Sequence, residues 1–207
     1  MRVRRSGWTL CLALSLLAGC TGASPTSPAA STEPSASTTA AVPDGNQDPA
    51  RFAAQVRTRA AEAGVSPQLV MAILYNESYK PHDPRLEREW QKLKPDAAFG
   101  VANMHRATFD ATKRGRAFAG RDWQELPDDP DLAIRAEAWY LHDLSGQLPA
   151  KHTSAFSNDE LLALGYNAGP GNMKVFARGT KPGPPAQSYV DTLRGNWAKA
   201  GAVVGSG

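Results

Sequence analysis

Cysteine is nearly absent: the 207-residue chain has two, Cys11 and Cys20, both among the first twenty residues. Beyond Cys20 no side chain can form a disulfide or act as a thiolate nucleophile. The four histidines, His82, His105, His142 and His152, are scattered without metal-ligand spacing, and no HExxH pair occurs. Zinc amidase or peptidase chemistry is therefore not expected, nor is any metal or cofactor. A G-x-S-x-G elbow and a phosphate-cradling glycine loop are missing as well. So is any long alternating strand pattern, with only Asp96 to Met104 suited to a short hairpin. The chemistry that remains is that of carboxylates.

The charge is uneven along the chain. Arg2, Arg4 and Arg5 precede an apolar stretch from Trp8 to Leu17, and small residues then lead to Cys20. This reads as a secretory signal peptide over 1–19, too short to span a membrane as a permanent helix. Its ending, Leu17, Ala18, Gly19 and Cys20, resembles the bacterial lipobox, which implies cleavage before Cys20 and a lipid on its sulfur. Loss of the three arginines takes the formal charge from +3 to about zero, so nucleic acid is not an expected partner. From Thr21 to Asp48, 20 of 28 residues are Ser, Thr, Pro or Ala, without Lys, Arg or an aromatic residue. Such a segment buries too little apolar surface to offset its ordering entropy, and 20–48 is expected to be a disordered tether. The expectation is an extracytoplasmic protein held to the cell membrane by a lipid on Cys20.

From about Pro49 to Ala200 the composition is globular and the pattern mainly α, with a flexible tail expected over 201–207. ARFAAQVRTRAAEAG reads as a helix ending near Gly64, and Ser66 with Pro67 caps and starts the next. DPDLAIRAEAWYLHDL carries Leu132, Ala136, Trp139, Tyr140 and Leu144 at helical spacing. In SNDELLALGYNAG, Ser157 and Glu160 form a capping-box pattern, and Gly169 with Pro170 reads as a stop. A last helix runs through AQSYVDTLRGNWAKA.

One residue stands out in the second helix, QLVMAILYNES. With Leu69 at zero on a helical wheel, Ile73 falls at about 40°, Val70 at about 100° and Glu77 at about 80°. Glu77 thus lies inside the apolar stripe and close to the helix C-terminus, where the macrodipole disfavours negative charge. Burial and dipole both favour its protonated form, which suits a general acid. The alternative at this point is a helix that ends a turn earlier, with Glu77 in solvent.

Three stretches together resemble the SLT-type lytic transglycosylases of the lysozyme-like superfamily, whose fold is α+β with a substrate groove. They are ILYNESYKP with the Glu77-Ser78 pair, AAFGVANMHRATF with Gly100 to Asn103 and Met104, and ALGYNAGPGNMKVF with Tyr166, Asn167, Ala168 and Gly169. Ser188 to Val190 and Ala138 to Leu141 are similar to two further family segments. The sequence departs from the pattern at Asn103, where Gln is usual, at Ala102 for Met, at Ala98 for Ser and at Glu137 for a small Gly. About eight extra residues also lie within HDPRLEREWQKLKPD.

The resemblance implies cleavage of the β-1,4 bond between N-acetylmuramic acid and N-acetylglucosamine in peptidoglycan glycan strands, the expected partner. Glu77 would protonate the glycosidic oxygen and then, as carboxylate, deprotonate the muramoyl hydroxymethyl group to close a 1,6-anhydro ring. Tyr166 and Tyr189 would flank the acid. Ser78, Asn103 and Met104 would contact sugar, and Asn167 to Gly169 would shape the groove floor. Two alternatives stay open at this stage. One is a hydrolysing muramidase like goose-type lysozyme, with Asp83, Glu87, Glu89 or Asp96 activating water. The other is a peptidoglycan-binding protein without cleavage.

Overall fold

The computed structural model describes residues 48–205. The leader, the lipidation site at Cys20 and nearly all of the tether lie outside these residues. Asp48, expected to end the tether, belongs to the folded part. Its carboxylate accepts from the Ala50 amide and caps a 3-10 turn, Pro49–Phe52. Seven helices follow: α1 (Ala53–Ala63), α2 (Pro67–Glu77), α3 (Pro84–Leu93), α4 (Arg106–Thr112), α5 (Pro130–Ser145), α6 (Asn158–Ala177) and α7 (Pro184–Val204).

The fold is mainly α, as the periodicity predicts. Among the described residues the β component is one antiparallel bridge, Phe99 to Met104, in place of the expected hairpin. Local signals set most helix ends. Gly64 terminates α1 at φ 68°, the Ser66 side chain accepts from Leu69 N to start α2, and the Ser157–Glu160 capping box is complete. The chain bends at Gly169 (φ 84°, ψ 162°), but helix resumes, because Pro170 suits a first helical turn that needs no N–H from it. The expected stop is therefore a kink. Part of the expected tail, 201–204, is helix. α7 continues to Val204 because Ala200, Gly201 and Val204 are buried against the core.

α2 is the axis of the core. Every residue from Leu69 to Glu77 is buried, which is the pattern of a helix enclosed on all sides. Its most extensive neighbour is α7, with α1, α5 and α6 around the rest. Asn76 fastens that interface, donating to the Tyr189 carbonyl at 3.0 Å and accepting from Asn196 at 2.9 Å. The end of α2 is thus fixed to α7 by polar contacts inside an otherwise apolar seam.

α3 faces the other way. Its inward side is polar: Glu87 is buried, with one oxygen against His82 Nδ1 at 3.0 Å and the other accepting from Gly100 N at 2.8 Å. Arg88 pairs with Asp128.

Candidate active site

Glu77 is the last residue of α2 and is 6% exposed. Both carboxylate oxygens have donors. Tyr189 Oη on α7 donates to Oε1 at 2.9 Å, and Asn103 Nδ2 donates to Oε2 at 3.0 Å. Burial raises the carboxyl pKa, and the two donors, with Lys80 and His82 nearby, lower it; the net direction is upward. The helix does not end early, so the alternative of a solvated Glu77 is excluded.

The turn that carries Asn103 is built around two special backbone positions. Gly100 has φ +71°, and a Cβ there would stand 2.7 Å from the Leu126 carbonyl oxygen, so only glycine fits. Asn103 has φ 47°, a left-handed conformation that Asn tolerates better than most side chains, and its amide N donates to Gly100 O at 2.8 Å. Stacking of Phe99 on Trp123 at 4.1 Å anchors the base of the turn, as does the bond from Trp123 Nε1 to the Met104 carbonyl at 2.8 Å. Asn103 donates a second bond to Tyr79 Oη at 3.1 Å.

The other expected residues divide into near and far. Tyr166 packs its ring 5.6 Å from that of Tyr140, and its hydroxyl donates to the Ala102 carbonyl at 2.5 Å rather than to Glu77. Burial, followed by nearby carboxylate charge, pushes both Tyr166 and Tyr189 well above the usual phenol range, so both remain donors. Asn167 is exposed, and the Ala168 carbonyl accepts from Asn172 Nδ2 at 2.7 Å beside the Gly169 kink. Ser78 caps the end of α2 and donates to Tyr75 O at 2.8 Å.

Met104 is a correction. Its side chain is buried in the core and has no surface to offer a sugar. The left-handed turn at Asn103 aims that side chain at Glu77, while Met104, paired with Phe99 in the bridge, turns into the core.

The structure also brings in residues the sequence reading did not assign to the site: Asn76, Tyr79, His82 and above all Glu137. Glu137 lies mid-way along α5 and is 0% exposed, with no hydrogen-bond partner for either oxygen. Burial first, then the charge of Glu77, pushes its carboxyl well above the usual range. Enclosed as it is, Glu137 cannot reach a water on a sugar face. None of the four inserted carboxylates is hydrogen-bonded into the Glu77 cluster. Asp83 caps α3, Glu87 is held by His82 and Gly100, Glu89 pairs with Lys92 at 2.7 Å, and no hydrogen bond joins Asp96 to the Glu77 cluster. Among the described residues no group of three or more His, Cys, Asp or Glu is arranged to hold a metal ion.

The site therefore contains a carboxyl whose burial favours the protonated form, contacted by two neutral donors and open at its edge to solvent. Such a group can give up one proton and later take one back. Residues 55–183, more than half of the chain, match the family described as Transglycosylase SLT domain. No curated protein matches the chain.

Proposed function

Because the chain belongs to the Transglycosylase SLT domain family, we propose that it is a lytic transglycosylase cutting the MurNAc–GlcNAc β-1,4 bond of peptidoglycan, with Glu77 as its acid and then its base. Glu77 gives its proton to the glycosidic oxygen as the bond to C1 breaks. Its carboxylate then takes the proton of the muramoyl 6-hydroxyl while O6 bonds to C1. The product is a 1,6-anhydro end, and no water is consumed. Tyr189 and Asn103 steady the carboxylate between the two transfers, since donors favour its charged form. Tyr166 holds the Ala102 carbonyl, and with it the turn that presents Asn103.

The observation that carries this reading is the environment of Glu77: buried, hydrogen-bonded by neutral donors at both oxygens, and hydrogen-bonded to no second carboxylate among the described residues. The same observation favours transglycosylation over hydrolysis, which calls for a base to activate water. The test is digestion of purified peptidoglycan by the wild-type protein beside Glu77→Gln, with products identified by mass. Anhydro ends, one water lighter than reducing ends, are expected from the wild type alone. Reducing ends would replace the transglycosylase assignment by hydrolysis, and equal activity of the two proteins would remove Glu77 from the chemistry.

The leader ending at Cys20 supports an enzyme exported from the cytoplasm and held to the membrane by lipid, facing the cell wall. Metabolic labelling with a radioactive fatty acid, present in the wild type and lost in Cys20→Ala, tests this.

A further inference from the structure

α3 is amphipathic with its faces reversed. Glu87, Gln91 and Arg88 turn toward the body, while Leu86, Trp90 and Leu93, at i, i+4 and i+7, form a stripe that points outward. The large hydrophobic side chains exposed among the described residues are Tyr79 (73%), Leu86 (52%), Trp90 (53%) and Leu93 (77%), all on or beside this helix. Isolated exposed hydrophobes need no explanation, but a contiguous group marks a contact surface. Here the group borders an open depression of about 780 Å³ lined by Tyr79, Lys80, Pro81, Leu86, Trp90 and Ala98, among others.

Two observations point to the occupant. Tyr79 joins the depression to the candidate active site: it lines the one, and its hydroxyl accepts from the same Asn103 amide that donates to Glu77 in the other. The chemistry of the stripe also suits a sugar ring, whose C–H faces are apolar and whose rim is polar. Trp90 and Tyr79 offer flat apolar rings, and Lys94 Nζ lies over one face of the Trp90 ring, 5.7 Å from its centroid, as a polar donor beside the stripe. The charges of α3 suit an anionic lipid surface less well, because Lys92 is paired with Glu89 and Arg88 with Asp128, which leaves Arg85 as the helix's one cation outside an ion pair among the described residues.

We propose that α3 and Tyr79 form a carbohydrate-stacking platform that holds pyranose rings of the glycan strand beyond the bond being cut, with Trp90 as its principal ring. The platform rests on the transglycosylase reading and assigns a substrate-gripping role to the inserted segment. Glu87 links it to the catalytic turn, since the carboxylate that docks α3 also accepts from Gly100 N.

The test uses the full chain carrying Glu77→Gln, so that binding is measured without cleavage. Co-sedimentation with purified peptidoglycan, and titration with chitohexaose as a peptide-free β-1,4 glycan, are compared with and without Trp90→Ala. The variant is expected to weaken both about tenfold, and Trp90→Phe to recover most of the loss. In the cleaving protein Trp90→Ala raises KM on peptidoglycan and leaves kcat in place. Unchanged glycan binding by Trp90→Ala overturns the platform. So does a loss confined to phosphatidylglycerol vesicles, which assigns the stripe to a membrane, or to self-association measured by sedimentation, which assigns it to a second copy. A Glu77→Gln chain that binds no peptidoglycan at all removes the transglycosylase reading beneath it, whereas binding that ignores Trp90 removes the platform alone.

Discussion

Glu77 at the end of α2 and Glu137 in the middle of α5 are both buried carboxyls with raised pKa, and each lies within electrostatic reach of the same two tyrosines. They differ in what surrounds the oxygens. Glu77 has a donor on each oxygen and an edge on solvent; Glu137 has neither. Burial alone keeps a proton in place. Donors are what let the anion form and persist, so only the first of the two is equipped to lose a proton and regain it.

Replacing the two glutamates in turn should separate them most widely. Glu77→Gln is expected to lower glycan cleavage about 10²–10⁴-fold, measured as soluble product released from peptidoglycan. Glu137→Gln should retain cleavage, and an equal loss would erase the distinction. A second contrast lies in stability. Glu137→Met removes two unsatisfied oxygens from the core and is expected to stabilise the protein by about 1–3 kcal/mol, seen as a higher denaturant midpoint at unchanged m-value. The corresponding Glu77→Met replacement strands two donors and should not stabilise.

Smaller effects sharpen the difference further. Tyr189→Phe deletes a donor that lowers the Glu77 pKa, so the pKa rises and the alkaline limb of the pH–rate profile moves to higher pH. The smallest effect is on melting temperature. Both glutamates keep their protons in the folded state at pH values where the unfolded chain has released them. Their contribution to stability is therefore full below about pH 4.5 and declines as pH rises from there toward the folded pKa values. Thermal scans should show this decline, and Glu137→Met should flatten it. Glu62 and Glu160, where partial burial is outweighed by arginine partners, act in the opposite sense at lower pH.

Much of this architecture was legible before any coordinates because its signals are local. Gly64, Ser66 with Pro67, and the Ser157–Glu160 box act within one turn of where they are written. The place of Glu77 in the apolar stripe follows from helical spacing within a single element. The readings that failed depend on what lies opposite. α4 has seven residues and no side-chain cap, and its existence rests on burying Phe109 and Thr112. Glu137, in the sequence only a departure from a small Gly, is enclosed because α1, α2, α4 and α6 pack around α5. Nor does the sequence of α3 say which side docks: Glu87 faces the body because His82 and Gly100 partner its carboxylate. Met104 falls on the sugar side by resemblance alone, which does not say how a turn with a left-handed residue aims its flanks.

Glu77 receives one of its two donors from a residue 112 positions later, on the last helix. The α2–α7 seam that brings them together is fastened by Asn76, which bonds to the carbonyl of Tyr189 and to Asn196. The acid is therefore unfinished in any nascent chain that has not yet released its C-terminal helix. A fragment truncated before Pro184 keeps the carboxyl and lacks the hydroxyl that donates to it.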